Sequence, residues 1–411
     1  MEISFLQELL QEQRQQFASR ATGIPRRVDI ARCFADDRIV VISGVRRCGK
    51  STLMRQMAAT LPDFHFVNFD DERLLSFTVT DFAALTIVLS RISPVKTLLA
   101  DEIQNMEGWE RFVRRLHDEG WKVVLTGSNA RLLSSELATH LTGRYRLVEL
   151  YPFSFAEFLT FKDFNPEPMT PGKRGSILNL FDEYLENGGF PEYLKSGDSD
   201  VLGQIYNDVV YRDIINRFRI RESRSFRELA HYLFTNFTGE ISYASVKNML
   251  RYKSPMTVAS HIDCLAQAYM VFELFKYDHS LKKQHVNNKK IYVIDNGIRN
   301  AVALRFSSDS GRLLENIIFA ELKRRGGDIY YHREKHECDF LVREKQRVVA
   351  AIQVTYELGP ANRPRELAGL AEAMRLYGLQ RGTIITYSAE GQAAVEAGEV
   401  RIVPAWRWLV A

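Results

Sequence analysis

The sequence predicts a mixed α/β protein of several domains, and three observations support that fold class. Its 411 residues exceed what one hydrophobic core usually organises. Short apolar runs alternate with amphipathic stretches over residues 38–150, which is the order of parallel strands joined by helices. Residues 307–411 show a second alternation of this kind, and a helix-rich stretch separates the two regions. We therefore expect two α/β domains with helical domains between them.

The composition is that of a globular protein, with 45% apolar and 26% charged residues. No apolar run approaches the ~20 residues of a membrane span, and the acidic, glutamine-rich N-terminus does not resemble a secretory signal. The four cysteines are far apart and form no C-x-x-C pair, which favours a reducing cytoplasm over a disulfide framework or a metal site. A net charge of +4 is too small to indicate a nucleic-acid partner by itself.

The most specific pattern is G-x-x-x-x-G-K-[ST] at residues 44–51, between a predicted strand and a predicted helix. Its glycines let backbone N–H groups turn toward phosphate oxygens, its lysine supplies a cation, and its serine hydroxyl can ligate Mg²⁺. The phosphates would lie at the N-terminus of the following helix, which favours anions. A chance match is the alternative, and the flanking strand and helix argue against it. The predicted nucleotide-binding residues are Gly44, Val45, Arg46, Arg47, Cys48, Gly49, Lys50, Ser51 and Thr52.

A pair of acidic residues, Asp101 and Glu102, follows the apolar run at residues 97–100. We expect Asp101 to organise Mg²⁺ together with Ser51, and Glu102 to polarise an attacking water molecule. A solvated strand end is the alternative interpretation of such a pair. The spacing from the phosphate-binding pattern and the apolar residues before the pair favour the catalytic interpretation.

Two further polar residues are candidates for contacts with the γ-phosphate. Asn129 follows the strand predicted at residues 122–125 and is a candidate sensor of the γ-phosphate or of its attacking water; a strand-end cap is the alternative. Arg144 precedes the strand predicted at residues 146–150 and is a candidate for contacting the nucleotide of a neighbouring subunit in a homo-oligomer. A surface salt bridge is the alternative for Arg144.

These motifs occur within a longer series of strings, in the order RRCGKSTL, LLADEIQ, LTGSNARLL, LTGR, LYPFSFAEFL, GGFPE, YRDI, KIYVIDNG, GRLLEN and ECDF. The series resembles a family of prokaryotic AAA-type ATPases that carry a C-terminal domain of unknown function, and it covers about residues 25–390. The resemblance implies a P-loop AAA-type ATPase core, a helical lid, a winged helix and a C-terminal restriction-endonuclease-like α/β domain. It also implies ATP and Mg²⁺ as cofactors.

The resemblance and the changes of pattern along the chain together predict five segments. They are an N-terminal helical segment at residues 1–37, an ATPase core at 38–152, a helical lid at 153–221, a winged helix at 222–306 and a restriction-endonuclease-like domain at 307–411.

Basic residues near the third helix and the wing of the predicted winged helix are candidate contacts to DNA phosphates. We expect such binding to be mostly independent of DNA sequence. The alternative is a protein-packing module with a solvated basic loop. The basic residues are Lys247, Arg251, Lys253, Lys282, Lys283, Lys289 and Lys290, and the polar residues of the third helix are Thr257, Ser260, His261 and Asp263.

The predicted order α-β-β-β-α-β of residues 307–411 resembles the restriction-endonuclease fold. That resemblance implies a metal site in which Glu315, Asp339 and Gln353 occupy the ligand positions, while Thr355 stands where a lysine is expected. Because threonine is neutral, we expect a degenerate nuclease site without efficient cleavage chemistry. Candidate replacements for the lysine are Lys323, Lys345 and Arg343.

The sequence therefore predicts a cytoplasmic ATPase in which ATP hydrolysis changes the angle between core and lid and drives a DNA-associated conformational switch. Two alternatives remain. The C-terminal half is a protein-interaction platform whose partner assembly ATP regulates, or the chain is an ATP-dependent nuclease.

Overall fold

The computed structural model describes residues 1–127, 141, 143–303 and 309–411, and it has the predicted mixed α/β fold. The chain divides into two compact units, Met1–Tyr151 and Pro152–Ala411. Within the described ranges, no helix is long and apolar enough to cross a membrane. The finer division of residues 153–411 into lid, winged helix and nuclease-like domain stays a prediction.

The first unit is a parallel sheet flanked by helices. Its strands are β1 (Ile39–Gly44), β2 (His65–Asn68), β3 (Thr97–Asp101), β4 (Lys122–Gly127) and β5 (Tyr145–Leu150), and its described helices of four or more residues are α1 (Ile3–Ser19), α2 (Ile30–Cys33), α3 (Lys50–Ala58), α4 (Asp81–Ile92) and α5 (Trp109–Asp118). The strands predicted at residues 97–100, 122–125 and 146–150 are therefore present, each longer by one or two residues.

The order of the strands, β2-β3-β4-β1-β5, determines which loops meet. All neighbouring strands are parallel, so the carboxyl ends of β1, β3 and β4 lie at one edge of the sheet. Strand β4 lies between the other two and pairs Ser43 with Gly127 and Leu125 with Ala100. The loop after β1 and the acidic pair at the end of β3 are thereby brought to either side of the end of β4, as expected for a ligand site in an open parallel sheet.

Helix α1 belongs to this core. It buries Leu6, Leu9 and Leu10 in the apolar cluster of the unit, and Phe17 stacks on Phe66 with ring centroids 3.9 Å apart. Each of these burials contributes about 2 kcal/mol to folding. The first part of the predicted N-terminal helical segment therefore packs against the core of this unit.

The second unit contains two sheets and many helices. Its helices are α6 (Phe155–Phe161), α7 (Pro171–Asn187), α8 (Pro191–Ser196), α9 (Asp200–Asp208), a π-helix (Val209–Asn216), α10 (Ser223–Thr235), α11 (Tyr243–Met249), α12 (Pro255–Gln267), α13 (Leu281–Val286), α14 (Asn296–Val302), α15 (Ser310–Arg325), α16 (Arg363–Tyr377) and α17 (Ala405–Val410). Its strands are β6 (Glu240–Ile241), β7 (Val271–Phe275), β8 (Lys289–Val293), β9 (Asp328–Arg333), β10 (Glu337–Glu344), β11 (Arg347–Thr355), β12 (Arg381–Thr386), β13 (Gly391–Val395) and β14 (Gly398–Pro404).

The two sheets of this unit have the orders β6-β8-β7 and β13-β14-β12-β11-β10-β9. The elements α15, β9, β10, β11, α16 and β12 follow the predicted order α-β-β-β-α-β. The structure also contains β13 and α17, which were not predicted. The short helix α13 lies in the loop that was predicted to be part of the wing.

Buried polar side chains form a hydrogen-bond network in this unit. The network includes residues of three sequence strings to which no chemical role was assigned from the sequence. Asp295 accepts hydrogen bonds from the N–H groups of Gly189 (2.7 Å) and Gly297 (2.8 Å), and burial raises the pKa of its carboxyl to about 6. A Cβ at Gly188 would lie 2.0 Å from Asp295 Oδ1, so only glycine fits there. Asn316 bonds to both the N–H and the carbonyl of Val293. The strings GGFPE, KIYVIDNG and GRLLEN thus meet in the interior of this unit.

Candidate nucleotide-binding site

The two glycines of the phosphate-binding pattern are required for different reasons. A Cβ at Gly44 would lie 2.1 Å from the carbonyl oxygen of Leu150, so β5 leaves no room for a side chain. Gly49 has a φ of 101° at the N-terminus of α3, a conformation that is strained for other residues. The loop can therefore adopt its tight path only with glycine at both positions.

Lys50 lies inside this loop. Its side chain is buried, and its ammonium donates hydrogen bonds to the carbonyl oxygens of Gly44 (3.1 Å) and Val45 (3.2 Å). Phosphate oxygens are stronger acceptors because the bond is then charge-assisted on both sides. The ammonium is thus held inside the loop, at the place where the loop would bind a phosphate.

Asp101 lies at the end of β3 and is buried. Its Oδ1 accepts a hydrogen bond from the hydroxyl of Thr126, and the Ser51 side chain also bonds to this carboxylate. Burial raises the pKa of Asp101, whereas the bonds from Thr126 and Ser51 and the charge of Lys50 act in the opposite direction. The structure therefore brings together Ser51 and Asp101, the two residues predicted to organise Mg²⁺.

Glu102 has an unusual backbone conformation, with φ at 51° in the left-handed region. Such a conformation costs of order 1 kcal/mol for a residue other than glycine and is found preferentially at functional sites. The N–H of Glu102 donates to the hydroxyl oxygen of Thr126 (2.9 Å), and its carboxylate accepts from the Gln104 side-chain amide (2.5 Å). The backbone of Glu102 is thereby fixed beside Asp101.

Thr126, the residue that links the two acids, was not among the predicted site residues. It is fully buried at the end of β4 and accepts from Glu102 while donating to Asp101. The sequence signal for Thr126 was its position at the end of a strand. Because β-branched residues are common in any strand, this position alone does not indicate a functional role. The predicted sensor in this stretch, Asn129, lies outside the described residues.

Replacing Thr126 by valine should slow ATP turnover by roughly 10-fold with little change in nucleotide affinity. Valine keeps the volume but removes the hydroxyl that positions both acids, and it leaves two buried groups without this partner at a cost of about 1–3 kcal/mol each. Steady-state kinetics would measure the effect on kcat and KM separately. Thr126→Ser is the matched control, and equal rates for the serine and valine variants would show that the hydroxyl has no positioning role.

Arg26 is a second residue that the sequence did not indicate. Its buried guanidinium donates to the carbonyl oxygens of Cys48 (2.8 Å) and Tyr151 (2.6 Å), so it fixes the phosphate-binding loop to the residue that follows β5. Cys48 itself is buried, which raises the pKa of its thiol and keeps it protonated.

Arg144 does not reach this site within the same chain. Its carbonyl accepts from the N–H of Ile39 at the start of β1, whereas the phosphate-binding loop follows the other end of that strand, about 20 Å away at ~3.3 Å per residue. Its side chain pairs with Asp118 (2.6 Å), and the two side chains are 39% and 52% exposed. A contact of Arg144 with nucleotide would therefore require another subunit.

Three of the four predicted nuclease residues lie close together. Glu315 and Asp339 contact the same Lys290 ammonium, and Gln353 accepts from the Asp339 N–H and donates to Glu366. Thr355 bonds to the Glu357 carbonyl. No group of three or more histidine, cysteine or acidic residues in the described part of the chain is arranged to hold a metal ion. The three proposed replacements are also elsewhere: Arg343 pairs with Asp328, Lys323 lies against the Phe272 ring, and Lys345 is exposed after β10.

The basic residues of the predicted winged helix differ in exposure. Arg251, Lys253, Lys282 and Lys283 are exposed, as are Thr257 and Ser260 of α12. Lys289 and Lys290 are buried, so their selection as phosphate contacts was wrong. His261 bonds to Tyr252, and Gln267 bonds to Asp263.

Three protein families match successive parts of the chain. Residues 36–159 match an AAA domain, residues 178–310 match a domain of unknown function (DUF8612), and residues 310–408 match another domain of unknown function (DUF4143). The AAA match contains the phosphate-binding loop and the acidic pair.

Two curated relatives align over most of their length. The uncharacterized protein MJ1544 of Methanocaldococcus jannaschii is 34% identical over 96% of this chain and 92% of its own. An uncharacterized protein of Haemophilus influenzae is 31% identical over 78% of this chain and 83% of its own. Among solved structures, the replication initiator DnaA bound to AMPPCP and single-stranded DNA aligns with 58% of this chain and 84% of its own, at 16% identity. Its TM-score of 0.28 is too low to support an argument.

Proposed function

This chain belongs to the family of AAA-type proteins with a C-terminal DUF4143 domain, and we propose that it binds ATP with Mg²⁺ and hydrolyses it to ADP and phosphate. The observation that carries this proposal is the arrangement around Thr126. This residue links Asp101 and Glu102, while Ser51 of the phosphate-binding loop bonds to the same Asp101 carboxylate. A nucleotide-binding loop and an acidic pair from a different strand thus form one site.

The oxygen donors at this place suit Mg²⁺. Ser51 and Asp101 supply a hydroxyl and a carboxylate oxygen, the donor type that this ion prefers, and phosphates and water complete such a shell. Bound Mg²⁺ would neutralise charge on the β- and γ-phosphates. Ser51 and Asp101 are therefore the residues that would hold the ion.

The chain's own residues would perform three tasks during hydrolysis. The N–H groups of the loop and the Lys50 ammonium hold the phosphates and compensate charge that moves toward the leaving oxygen. Glu102 orients the attacking water and accepts its proton. Thr126 holds Glu102 and Asp101 in fixed positions relative to each other. The positioning of the reacting groups, rather than covalent catalysis, then supplies most of the rate acceleration.

The test of this function is phosphate release by the purified full-length chain with ATP and Mg²⁺. We expect turnover that depends on both ATP and Mg²⁺ and that is lost in the Asp101→Asn variant. Tight ATP binding without any phosphate release would reduce the function to nucleotide sensing.

Arg144→Ala should lower turnover much more than nucleotide affinity, because we propose that Arg144 acts on the γ-phosphate bound to a neighbouring subunit. Asp118→Ala is the matched control, since it breaks the same ion pair but leaves the arginine in place. Mixing the Arg144→Ala and Glu102→Gln chains should restore some activity at sites that combine both intact residues. Light scattering would report the assembly state, and equal effects of the two alanine variants would assign Arg144 to a surface salt bridge only.

We propose that ATP turnover drives a conformational switch associated with DNA. The support is the group of exposed cations Arg251, Lys253, Lys282 and Lys283 in the region predicted to be a winged helix. Duplex binding should weaken as salt increases, and Arg251→Ala together with Lys253→Ala should reduce the salt dependence. Lys195→Ala, an exposed lysine on α8, is the charge-matched control.

The alternative of a protein-interaction platform is supported by exposed apolar side chains in the same region. Met256 is 75% exposed, Leu281 72% and Val286 77%. Contiguous exposed apolar patches are typical of protein-binding surfaces, and on this alternative the three side chains would contribute to one such patch. Salt-independent or undetectable duplex binding, with ATPase activity unchanged by DNA, would favour this platform over the DNA-associated switch.

A further inference from the structure

Lys290 is a buried cation surrounded by carboxylates. It lies on β8 with 4% of its surface exposed. Its Nζ is 3.2 Å from Glu315 Oε1, 2.6 Å from Glu337 Oε1 and 3.1 Å from Asp339 Oδ1. Glu315 belongs to α15, and the other two acids belong to β10. Three carboxylates from two elements therefore converge on one ammonium nitrogen.

The ammonium donates hydrogen bonds to two of these partners. Its N–H groups bond to Glu315 Oε1 and Asp339 Oδ1, and Glu337 Oε1 is a close ion-pair partner of the same nitrogen. Burial alone would lower the pKa of Lys290, but the surrounding carboxylates raise it well above its usual value, and the group stays charged. Lys290 is therefore a buried ammonium whose charge is balanced by neighbouring carboxylates.

Two of the three carboxylates are held in place by further bonds. The Tyr292 hydroxyl donates to Glu315 Oε1 (2.6 Å), and the Val354 N–H donates to Asp339 Oδ2 (2.9 Å). Tyr292 in turn stacks on Phe319, with ring centroids 4.0 Å apart. These contacts hold Glu315 and Asp339, whereas the Glu337 side chain is 36% exposed and also pairs with Arg333. The cluster is therefore a cradle for a cation that is built on two buried acids.

The charges in the cradle favour more positive charge than one ammonium supplies. Three carboxylates face one ammonium, and Arg333, 3.8 Å from Glu337, is a second cation near the cluster. A divalent ion would carry twice the charge of the ammonium. Since Ca²⁺ binds carboxylate oxygens at ~2.3–2.6 Å and Mg²⁺ at ~2.0–2.1 Å, the oxygens would need to move inward by about 1.2 Å at most.

We propose that the Lys290 ammonium takes the place of a divalent cation in this cradle, so that the native chain excludes metal there and removal of the lysine side chain creates a metal site. The lysine reaches the cradle from β8 of the three-stranded sheet, whereas β10 belongs to the six-stranded sheet. The same ammonium therefore fastens one sheet of this unit to the other.

The experiment compares Mn²⁺ binding and thermal unfolding of the full-length wild-type and Lys290→Ala chains without nucleotide. Without metal, the variant should unfold roughly 10 °C lower, because buried carboxylates lose their counter-ion. It should bind about one Mn²⁺ more than the wild type, with a Kd of roughly 10⁻⁵–10⁻³ M, and Mn²⁺ or Ca²⁺ should restore part of its thermal stability. Counting free Mn²⁺ by electron paramagnetic resonance gives the stoichiometry directly.

Two further variants make the result specific. Lys289→Ala removes an adjacent buried ammonium that bonds to the carbonyls of His285 and Asn287, so it should lose stability without gaining a metal site. Lys290→Ala combined with Asp339→Asn should lose the additional Mn²⁺. If the alanine variant does not accumulate, Lys290→Gln can be used instead, since its side-chain amide provides two neutral N–H donors. We expect it to gain Mn²⁺ binding and to lose thermal stability, with both changes smaller than in Lys290→Ala. Equal Mn²⁺ binding by the wild-type chain and the Lys290 variants would overturn the proposal.

Discussion

Glu102→Gln should slow ATP turnover by at least ~10²-fold while leaving ATP bound, which is typical for the loss of a positioned general base. The substitution keeps the size of the side chain and its hydrogen bond with Gln104 but removes the negative charge that polarises water. It also keeps the backbone N–H that donates to Thr126. The geometry of Asp101 should therefore persist, and only the base is lost. Single-turnover phosphate release and equilibrium binding of ATP would separate the two effects.

The control for this variant is Gln104→Ala, which removes the neighbour of the carboxylate but keeps the carboxylate itself. We expect a smaller loss of rate from it than from Glu102→Gln. Turnover of the Glu102→Gln chain at the wild-type rate would mean that another residue orients the water.

Lys50→Ala should weaken ATP binding by at least ~10²-fold. The ammonium is already held inside the loop by the carbonyls of Gly44 and Val45, so little conformational entropy is lost when it binds phosphate. Charge-assisted hydrogen bonds contribute about 1.5–3 kcal/mol each, and two such bonds to the phosphates account for this loss. Titration with a non-hydrolysable ATP analogue would measure it.

The matched control is Lys96→Ala, which removes an exposed lysine of the same unit and should leave affinity unchanged. Thermal unfolding without nucleotide would verify that the Lys50→Ala chain is folded. Wild-type affinity in a folded Lys50→Ala chain would contradict the assignment of this loop as the nucleotide site.

The first unit and the placement of its site residues followed from local patterns. The phosphate-binding loop and the pair Asp101–Glu102 are contiguous strings, and each is flanked by the strand or helix that its chemistry requires. Thr126 escaped prediction because its role depends on the strand order, which places β4 between β1 and β3. A single sequence contains no direct record of that order.

The contacts of Lys290 were unpredictable for a related reason. Its partners Glu315, Glu337 and Asp339 lie 25 to 49 residues further along the chain and on other elements. In sequence, Lys290 is one of several lysines around a polar loop, a pattern that normally indicates a solvated surface. Strand β13 was missed because GQAAV has small residues and no alternation of apolar and polar positions.

The hydrogen bonds of Arg26 imply that the segment required for folding begins before the residues that match the AAA domain. The AAA match starts at residue 36, but the guanidinium that ties Cys48 to Tyr151 comes from residue 26. Helix α1 contributes Leu6, Leu9 and Leu10 to the same core. A truncated chain that starts at residue 36 would expose this apolar surface and remove the partner of two buried carbonyls. Expression of the ATPase half by itself should therefore retain residues 1–35, and shorter versions should be aggregation-prone and weak in nucleotide binding.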